Sequence, residues 1–233
     1  ITFDVANIII WHPTHPMDPH LCRHGHHGML SDCYYEYLAS TDVLRDWVEL
    51  PSQLLEHWIS EPIVLKKHAK HYRTGEIVPD DLLKRYKNAE LYGEGFDTVE
   101  YTSCAMLDIA LHSLSEYDDD FDLAKFEREY LKEQGMPKGI IMRHRPPHFL
   151  HLFASSSYAS GYYCYQWAQV LDNDVFAAFE ETGHVFDRQT AERCSQYIYS
   201  SGNTAPPQDL FRTFRGRDPD ATFMLKNRGL IPK

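Results

Sequence analysis

Apolar residues recur at steps of three and four along most of this 233-residue chain. That spacing places them on one face of an α-helix. The clearest case runs from residue 41 to residue 60, where the recurring residues are Val43, Leu44, Trp47, Val48, Leu54, Leu55 and Trp58. Glycines and prolines separate the periodic segments, and the chain contains neither an internal repeat nor a linker long enough to divide two domains. The pattern predicts an all-α fold that forms one region over residues 1–233.

The same reasoning predicts helices in the rest of the chain. Their expected ranges are 63–73, 79–87, 97–114, 123–134, 174–181, 188–199, 208–215 and 221–227. The double proline Pro146-Pro147 favours extended backbone, so we expect a loop that continues through the serines at 155–157. A further helix is predicted to begin at Tyr158.

Charge and cysteine usage exclude several classes of protein. A formal charge of -11 and a pI near 5.6 argue against a nucleic-acid or anionic-membrane partner, because both reward a basic surface. No apolar run approaches the roughly 20 residues that span a bilayer, and the first residues lack the basic start of a signal peptide, so a cytoplasmic location is expected. The five cysteines include no CxxC pair, so neither a disulfide framework nor a thiolate zinc site is indicated.

The segment 11–27 is unusually rich in histidine, with six of the fourteen in the chain. Three prolines prevent a helix in its first half, but Pro19 can occupy a first helical position. His20 and His24 would then lie four residues apart on one helix face, where both imidazoles can reach one metal ion. A carboxylate from a second helix, Glu49, could complete an open zinc site, with Glu56 as a competing candidate. The alternative is an irregular surface loop that binds metal only adventitiously.

The position after the first histidine is important for catalysis. Zinc peptidases with an HExxH motif carry a glutamate there, which takes a proton from the attacking water. In this chain the motif reads HLCRH, and that position is Leu21. The metal scaffold is therefore present in the sequence, and the usual general base is not.

A second group of candidate residues follows the 143–151 stretch. Tyr158, Tyr162 and Tyr165 are spaced so that a helix would place all three phenols on one stripe. One interpretation is an ordinary amphipathic helix with half-buried tyrosines. The other is a set of hydrogen-bond donors beside His151, suited to an oxyanion or a peptide carbonyl.

Six segments in chain order resemble the thimet-oligopeptidase-like zinc metallopeptidases, the oligopeptidase A and bacterial dipeptidyl carboxypeptidase group, in their C-terminal third. The segments are ITFD near the start, HGMLSD at 27–32, VELPSQLLEHW at 48–58, MRHRPPHFLHLFA at 142–154, YASGYYCYQW at 158–167 and FRGRDPD at 214–220. The resemblance implies the helical catalytic region of a zincin-like peptidase that hydrolyses short oligopeptides with zinc. It also implies a monomer, as part of a longer chain whose upstream half is absent here.

The resemblance also implies roles for particular residues. The zinc ligands would be His20, His24 and Glu49, with the family's 29-residue step from first histidine to glutamate preserved. The catalytic residues would be His151, Tyr158 and Tyr165, and the substrate-binding residues Tyr162 and His148. The family motif H-E-x-G-H is altered at Leu21, and the family's glycine-rich loop is replaced by serines at 155–157. A degenerate homologue or fragment with weak or no activity is therefore the alternative to an active peptidase.

Overall fold

The structure is a computed structural model that describes residues 19–232, with side chains from residue 24 onward. The α-helices of this range are α1 (Pro19–Leu30), α2 (Arg45–Leu54), α3 (Glu56–Ile59), α4 (Pro62–His68), α5 (Asp80–Glu90), α6 (Glu94–His112), α7 (Leu123–Glu133), α8 (Leu150–Phe153), α9 (Cys164–Glu180), α10 (Arg188–Cys194), α11 (Pro207–Arg215) and α12 (Thr222–Asn227). Short 3-10 turns occur at Glu36–Leu38, Pro146–His148 and Ser156–Tyr158, and a π-helical turn at Ser195–Tyr199.

Helices account for the regular structure of the described residues. Between residues 19 and 232 the chain forms no β-strand, and its extended pairing is limited to an isolated antiparallel bridge between Lys70 and Ile77. The predicted all-α class is confirmed. None of the helices in this part of the chain is long and apolar enough to cross a membrane.

The described residues divide into two compact units. The first unit consists of residues 19–91 and 168–232, and the second unit is Tyr92–Trp167. The division falls within α9, between Trp167 and Ala168. That the whole of 1–233 acts as one catalytic region stays a prediction.

Large apolar side chains of α2, α3, α9, α11 and the π-helical turn form the core of the first unit. Its buried members include Trp47, Leu50, Leu54, Trp58, Leu171, Val175, Phe176, Phe179, Ile198, Phe211 and Phe214. The Trp58 indole packs edge-on against Phe176 and Phe179 and donates a 2.8 Å hydrogen bond to the Val185 carbonyl. Burying aromatic side chains of this size while satisfying their polar atoms is a large contribution to stability.

The helix expected over 41–60 is interrupted. It begins at Arg45 and ends at Leu54, and α3 follows after one residue. Pro51 lies inside α2 and is buried. Because proline has no N–H to donate to the carbonyl four residues earlier, it weakens the helix at this turn. This explains why α2 ends three residues after Pro51.

The second unit has its own apolar core, built mainly from α6, α7 and the chain between them and α9. Its buried members are Cys104, Ala105, Leu107, Leu131, Met142, Phe149, Leu152 and Tyr162. Near this core the helix predicted to begin at Tyr158 is wrong. Tyr158 ends a 3-10 turn, Ser160 adopts a left-handed φ of 57°, and α9 begins only at Cys164.

Candidate active site

Helix α1 begins at Pro19, as the sequence predicts for the histidine-rich segment. His20 and His24 both belong to it, so the loop alternative is wrong for residues 19–27. The side chains of His20 and Leu21 and residues 11–18 lie outside the described part of the chain. His20 as a metal ligand therefore stays a prediction.

Glu49 and His24 are brought together by α1 and α2, which pack against each other. His24 Nε2 lies 3.3 Å from Glu49 Oε2, and the Glu49 side chain is only 2% exposed. Two ligand atoms of one tetrahedral zinc ion, each about 2.0 to 2.1 Å from it, lie about 3.3 to 3.4 Å apart. The separation in the structure fits two ligands of a shared zinc ion. The competing candidate, Glu56, is exposed on α3.

Ser52 fixes the Glu49 carboxylate from the next turn of α2. Its hydroxyl donates to Glu49 Oε2 and to the Glu49 carbonyl, both at 2.9 Å, and the side chain is fully buried. A ligating carboxylate is commonly held in this way by a hydrogen-bond donor behind it. Ser52 therefore limits the orientations that Glu49 can adopt toward His24.

His27 is a fully buried imidazole on the same helix as His24. Burial, and to a smaller extent the charge of His24, lower its pKa from 6.5 to about 4. Its ring meets Tyr199 edge-on at 6.4 Å, and neither ring nitrogen has a hydrogen-bond partner among the described residues. His27 is therefore neutral at pH 7 and places no positive charge beside the His24–Glu49 pair.

Two of the three expected metal ligands are thus in contact. Among the side chains that the structure describes, no group of three or more His, Cys, Asp and Glu residues is arranged to hold a metal ion. The third position of the predicted set belongs to His20, which is not among them. The fit to zinc rests on the donor types and separation of His24 and Glu49.

In the second unit, His151 and two of the tyrosines form a hydrogen-bonded chain. His151 Nε2 lies 2.9 Å from the Tyr165 hydroxyl, which donates to the Tyr158 hydroxyl at 3.1 Å. The Tyr158 and Tyr165 rings are nearly parallel, with centroids 6.0 Å apart. The imidazole of His151 is exposed and both phenols are partly buried, so the chain of polar groups reaches the surface of its unit.

Tyr162 lies deeper than the other two phenols. It is 6% exposed, its ring packs edge-on against Phe149 at 4.6 Å, and its hydroxyl accepts a hydrogen bond from Tyr101. Burial raises the pKa of Tyr162 to about 12, so this phenol stays protonated at neutral pH. Its ring centroid is 5.4 Å from that of Tyr165. The three phenols lie close together, as predicted. A turn between Tyr158 and α9 brings them together, and they do not share one helix.

The remaining predictions about the site stay open. His148 is exposed at the end of a 3-10 turn, and its substrate-binding role stays a prediction. The metal residues belong to the first unit and the phenols to the second.

Two buried polar residues were missed by sequence reasoning. Ser52 follows Glu49 by three residues on a helix, a spacing that places it within reach. Asp108 is a fully buried carboxylate among apolar residues of α6, and its two oxygens accept from the backbone N–H groups of Ser160 and Tyr162 at 3.0 and 2.9 Å. An aspartate on an apolar helix face is the signal that could have identified it, because a buried carboxylate requires partners.

Comparison with known proteins matches residues 20–230 to the model of Peptidase family M3. The chain is 37% identical to dipeptidyl carboxypeptidase of Escherichia coli (strain K12) and 35% identical to oligopeptidase A of the same organism. Each match covers 91% of this chain and 31% of the relative. Organellar oligopeptidase A of Arabidopsis thaliana is 35% identical over 80% of this chain and 24% of its own length.

The chain thus spans about a third of the length of these bacterial relatives. The matched region includes the helix with His20 and His24, the helix with Glu49, and the segment from His151 to Tyr165. The chain belongs to Peptidase family M3.

Proposed function

We propose that this chain is the metal- and carbonyl-binding part of a zinc peptidase that hydrolyses short oligopeptides. The observation that carries the proposal is the 3.3 Å separation of His24 Nε2 and Glu49 Oε2 at a buried carboxylate, one helical turn from His20. His20, His24 and Glu49 supply the two-imidazole, one-carboxylate set that leaves a coordination position open for catalysis.

A bound zinc ion supplies Lewis-acid polarisation of the scissile carbonyl and of the attacking water. The protein's own residues define where that chemistry takes place. Glu49 contributes negative charge, and Ser52 holds its carboxylate in one orientation. His27 remains neutral at working pH because it is buried. The donor set therefore keeps a net negative charge, which favours a divalent cation.

The phenols and His151 bind the reacting carbonyl in this proposal. Tyr158 and Tyr165 belong to one hydrogen-bonded chain with His151, in which the Tyr165 hydroxyl donates to the Tyr158 hydroxyl. Donors of this kind, aimed at the oxygen on which negative charge develops, are worth roughly 2.7 to 4 kcal/mol each. Tyr162 and His148 extend the peptide-binding surface. Short peptides are accordingly the proposed partners, with no nucleic acid, and a monomeric state and cytoplasmic location stay predictions.

Leu21 supports a second candidate, a degenerate homologue that binds zinc and does not hydrolyse peptides. A leucine side chain has no atom that can accept a proton from water or pass one to the leaving amine. General acid–base catalysis contributes about 10² to 10⁴ in rate, so we expect hydrolysis at least about a hundredfold slower than in a relative with glutamate at this position.

Cleavage of a quenched fluorescent oligopeptide with added zinc separates the two candidates. We expect the Leu21→Glu variant to exceed the unmodified chain by about a hundredfold or more. Leu21→Gln is the matched control, because it has nearly the same shape and no basic oxygen. Full chelator-sensitive activity in the unmodified chain would contradict the assigned base position. Zinc binding without turnover in every variant would favour the degenerate homologue.

A further inference from the structure

Asp108 is a fully buried carboxylate for which the proposed chemistry has no direct use. It lies on α6, and both of its oxygens are engaged by the turn between Tyr158 and α9. Oδ1 accepts from Ser160 N at 3.0 Å, and Oδ2 accepts from Tyr162 N at 2.9 Å. His112 Nδ1, one turn along α6, lies 2.8 Å from Oδ1. A carboxyl group buried in this way is tolerated only when hydrogen-bond partners surround it.

The turn that Asp108 binds has an unfavourable backbone conformation. Ser160 has a φ of 57°, in the left-handed region that non-glycine residues rarely occupy. A residue of this kind persists only when its surroundings hold it. The two hydrogen bonds to Asp108 enclose Ser160 on both sides, at its own N–H and at that of Tyr162. Together with the turn's own backbone hydrogen bonds, they hold Ser160 in this conformation.

The same turn connects the two phenols of the hydrogen-bonded chain. Gly161 N donates to the Tyr158 carbonyl at 2.8 Å, and Cys164 N donates to the Gly161 carbonyl at 3.1 Å at the start of α9. Tyr158 precedes the turn, and Tyr165 is the second residue of α9, directly after Cys164. Hydrogen bonds therefore link Asp108 to the backbone of the turn that carries both phenols.

Helix α6 also holds the middle phenol at its other end. The Tyr101 hydroxyl, two turns before Asp108, donates to the Tyr162 hydroxyl, and the two rings lie 5.6 Å apart. Arg143 covers the Tyr101 ring at 5.1 Å and pairs with Glu100 at 2.8 Å. Tyr162 is thus fixed at its backbone N–H by Asp108 and at its hydroxyl by Tyr101.

We propose that Asp108 is a positioning residue that sets the geometry of the Tyr158, Tyr165 and His151 chain through the Ser160–Tyr162 turn. It reaches no substrate itself. The inference rests on the proposed function for the role of the phenols, but the geometric claim concerns only residues of the second unit. It can therefore be tested without any turnover.

The test places 3-fluorotyrosine at position 158 and compares the fluorine NMR spectrum of the otherwise unchanged chain with that of Asp108→Asn. An amide retains one acceptor oxygen, so one of the two turn N–H groups loses its partner, and we expect the Tyr158 resonance to move or broaden. Glu127→Gln is the matched control. Glu127 is also a buried carboxylate of the second unit, paired with Arg145 at 2.7 Å, and it does not contact the turn. We expect this control to leave the Tyr158 resonance in place.

A second variant separates positioning from a loss of stability. Adding Ser160→Gly to Asp108→Asn lets the turn adopt positive φ without strain, so we expect it to recover the resonance. Should Asp108→Asn fail to fold, Asp108→Glu keeps the carboxylate and displaces both oxygens by one methylene, so we expect it to shift the same Tyr158 resonance. An unchanged resonance in Asp108→Asn, or an equal change in Glu127→Gln, would overturn the proposal.

Kinetics of the same variants keep the two proposals distinguishable. Where peptide is cleaved, Asp108→Asn should lower kcat by about tenfold to a hundredfold with a smaller change in KM, as expected for a misplaced catalytic group. An inactive unmodified chain would count against the proposed function and leave the NMR result decisive for positioning. If the chain is active and Asp108→Asn changes neither kcat nor the Tyr158 resonance, the positioning role of Asp108 is wrong and the proposed function stands.

Discussion

Removing the Ser52 hydroxyl should weaken zinc binding without unfolding the protein. In Ser52→Ala the Glu49 carboxylate loses the donor that lies 2.9 Å from its Oε2. The carboxylate then has more orientations available, and the fraction that faces His24 falls. Loss of a group that orients a metal ligand typically costs 10-fold to 100-fold in metal affinity, which is about 1.4 to 2.7 kcal/mol.

The cost to the free energy of unfolding should be of similar size. Ser52 is fully buried, and its hydroxyl also donates to the Glu49 carbonyl at 2.9 Å. Deleting one buried hydrogen-bond donor destabilises a protein by about 1 to 3 kcal/mol, so the metal-free variant should still fold. Ser103→Ala is the matched control, because Ser103 is a buried serine of the second unit that donates to the Glu100 carbonyl, three residues earlier, at 2.8 Å.

The assay is a zinc titration against a competing chelator, with denaturant unfolding of each metal-free variant. We expect Ser52→Ala to raise the Kd for zinc by about 10-fold to 100-fold and Ser103→Ala to leave it unchanged. Equal affinities for Ser52→Ala and the unmodified chain would refute the role of Ser52. A parallel loss in both variants would assign the effect to general stability.

Two further predictions concern stability. Gly202→Ala should lower the free energy of unfolding by about 3 kcal/mol or more, because the new Cβ would lie 2.0 Å from the Leu38 carbonyl oxygen. Gly216 also has a positive φ but has open space around it, so Gly216→Ala should cost only about 1 to 2 kcal/mol. Denaturant unfolding measures both values. Equal costs would show that the close approach relaxes. The free energy of unfolding of the metal-free chain should fall by about 2 kcal/mol from pH 7 to pH 5. Folding lowers the pKa of His27 from 6.5 to about 4, so the unfolded chain binds this proton at a higher pH than the folded chain does. His27→Leu should reduce this fall in stability. An identical pH dependence in both proteins would contradict its assignment to His27.

Local signals in the sequence predicted most of the helices. Pro19 correctly predicted the start of α1, and the apolar spacing predicted the bounds of α6 and α7 to within a few residues. Glu49 was expected on a second helix, and it lies on α2, buried beside His24. These features depend on residues that are close in sequence, so pattern and propensity describe them well.

The turn between Tyr158 and α9 could not be predicted in the same way. Its conformation depends on Asp108, about fifty residues earlier in the chain, whose oxygens bind two of its N–H groups. A helix over Tyr158, Tyr162 and Tyr165 satisfies the local pattern equally well. Only the long-range contact decides between the two, which is why the phenols cluster as expected on a different backbone path.

A zinc-soaked crystal of this chain, measured at the zinc absorption edge, tests the metal centre most directly. We expect one anomalous peak about 2.0 to 2.2 Å from His24 Nε2, from a Glu49 oxygen and from an imidazole nitrogen of His20. No peak near Glu49, or a peak there with His20 turned away, would contradict the assignment of these three residues as the zinc site.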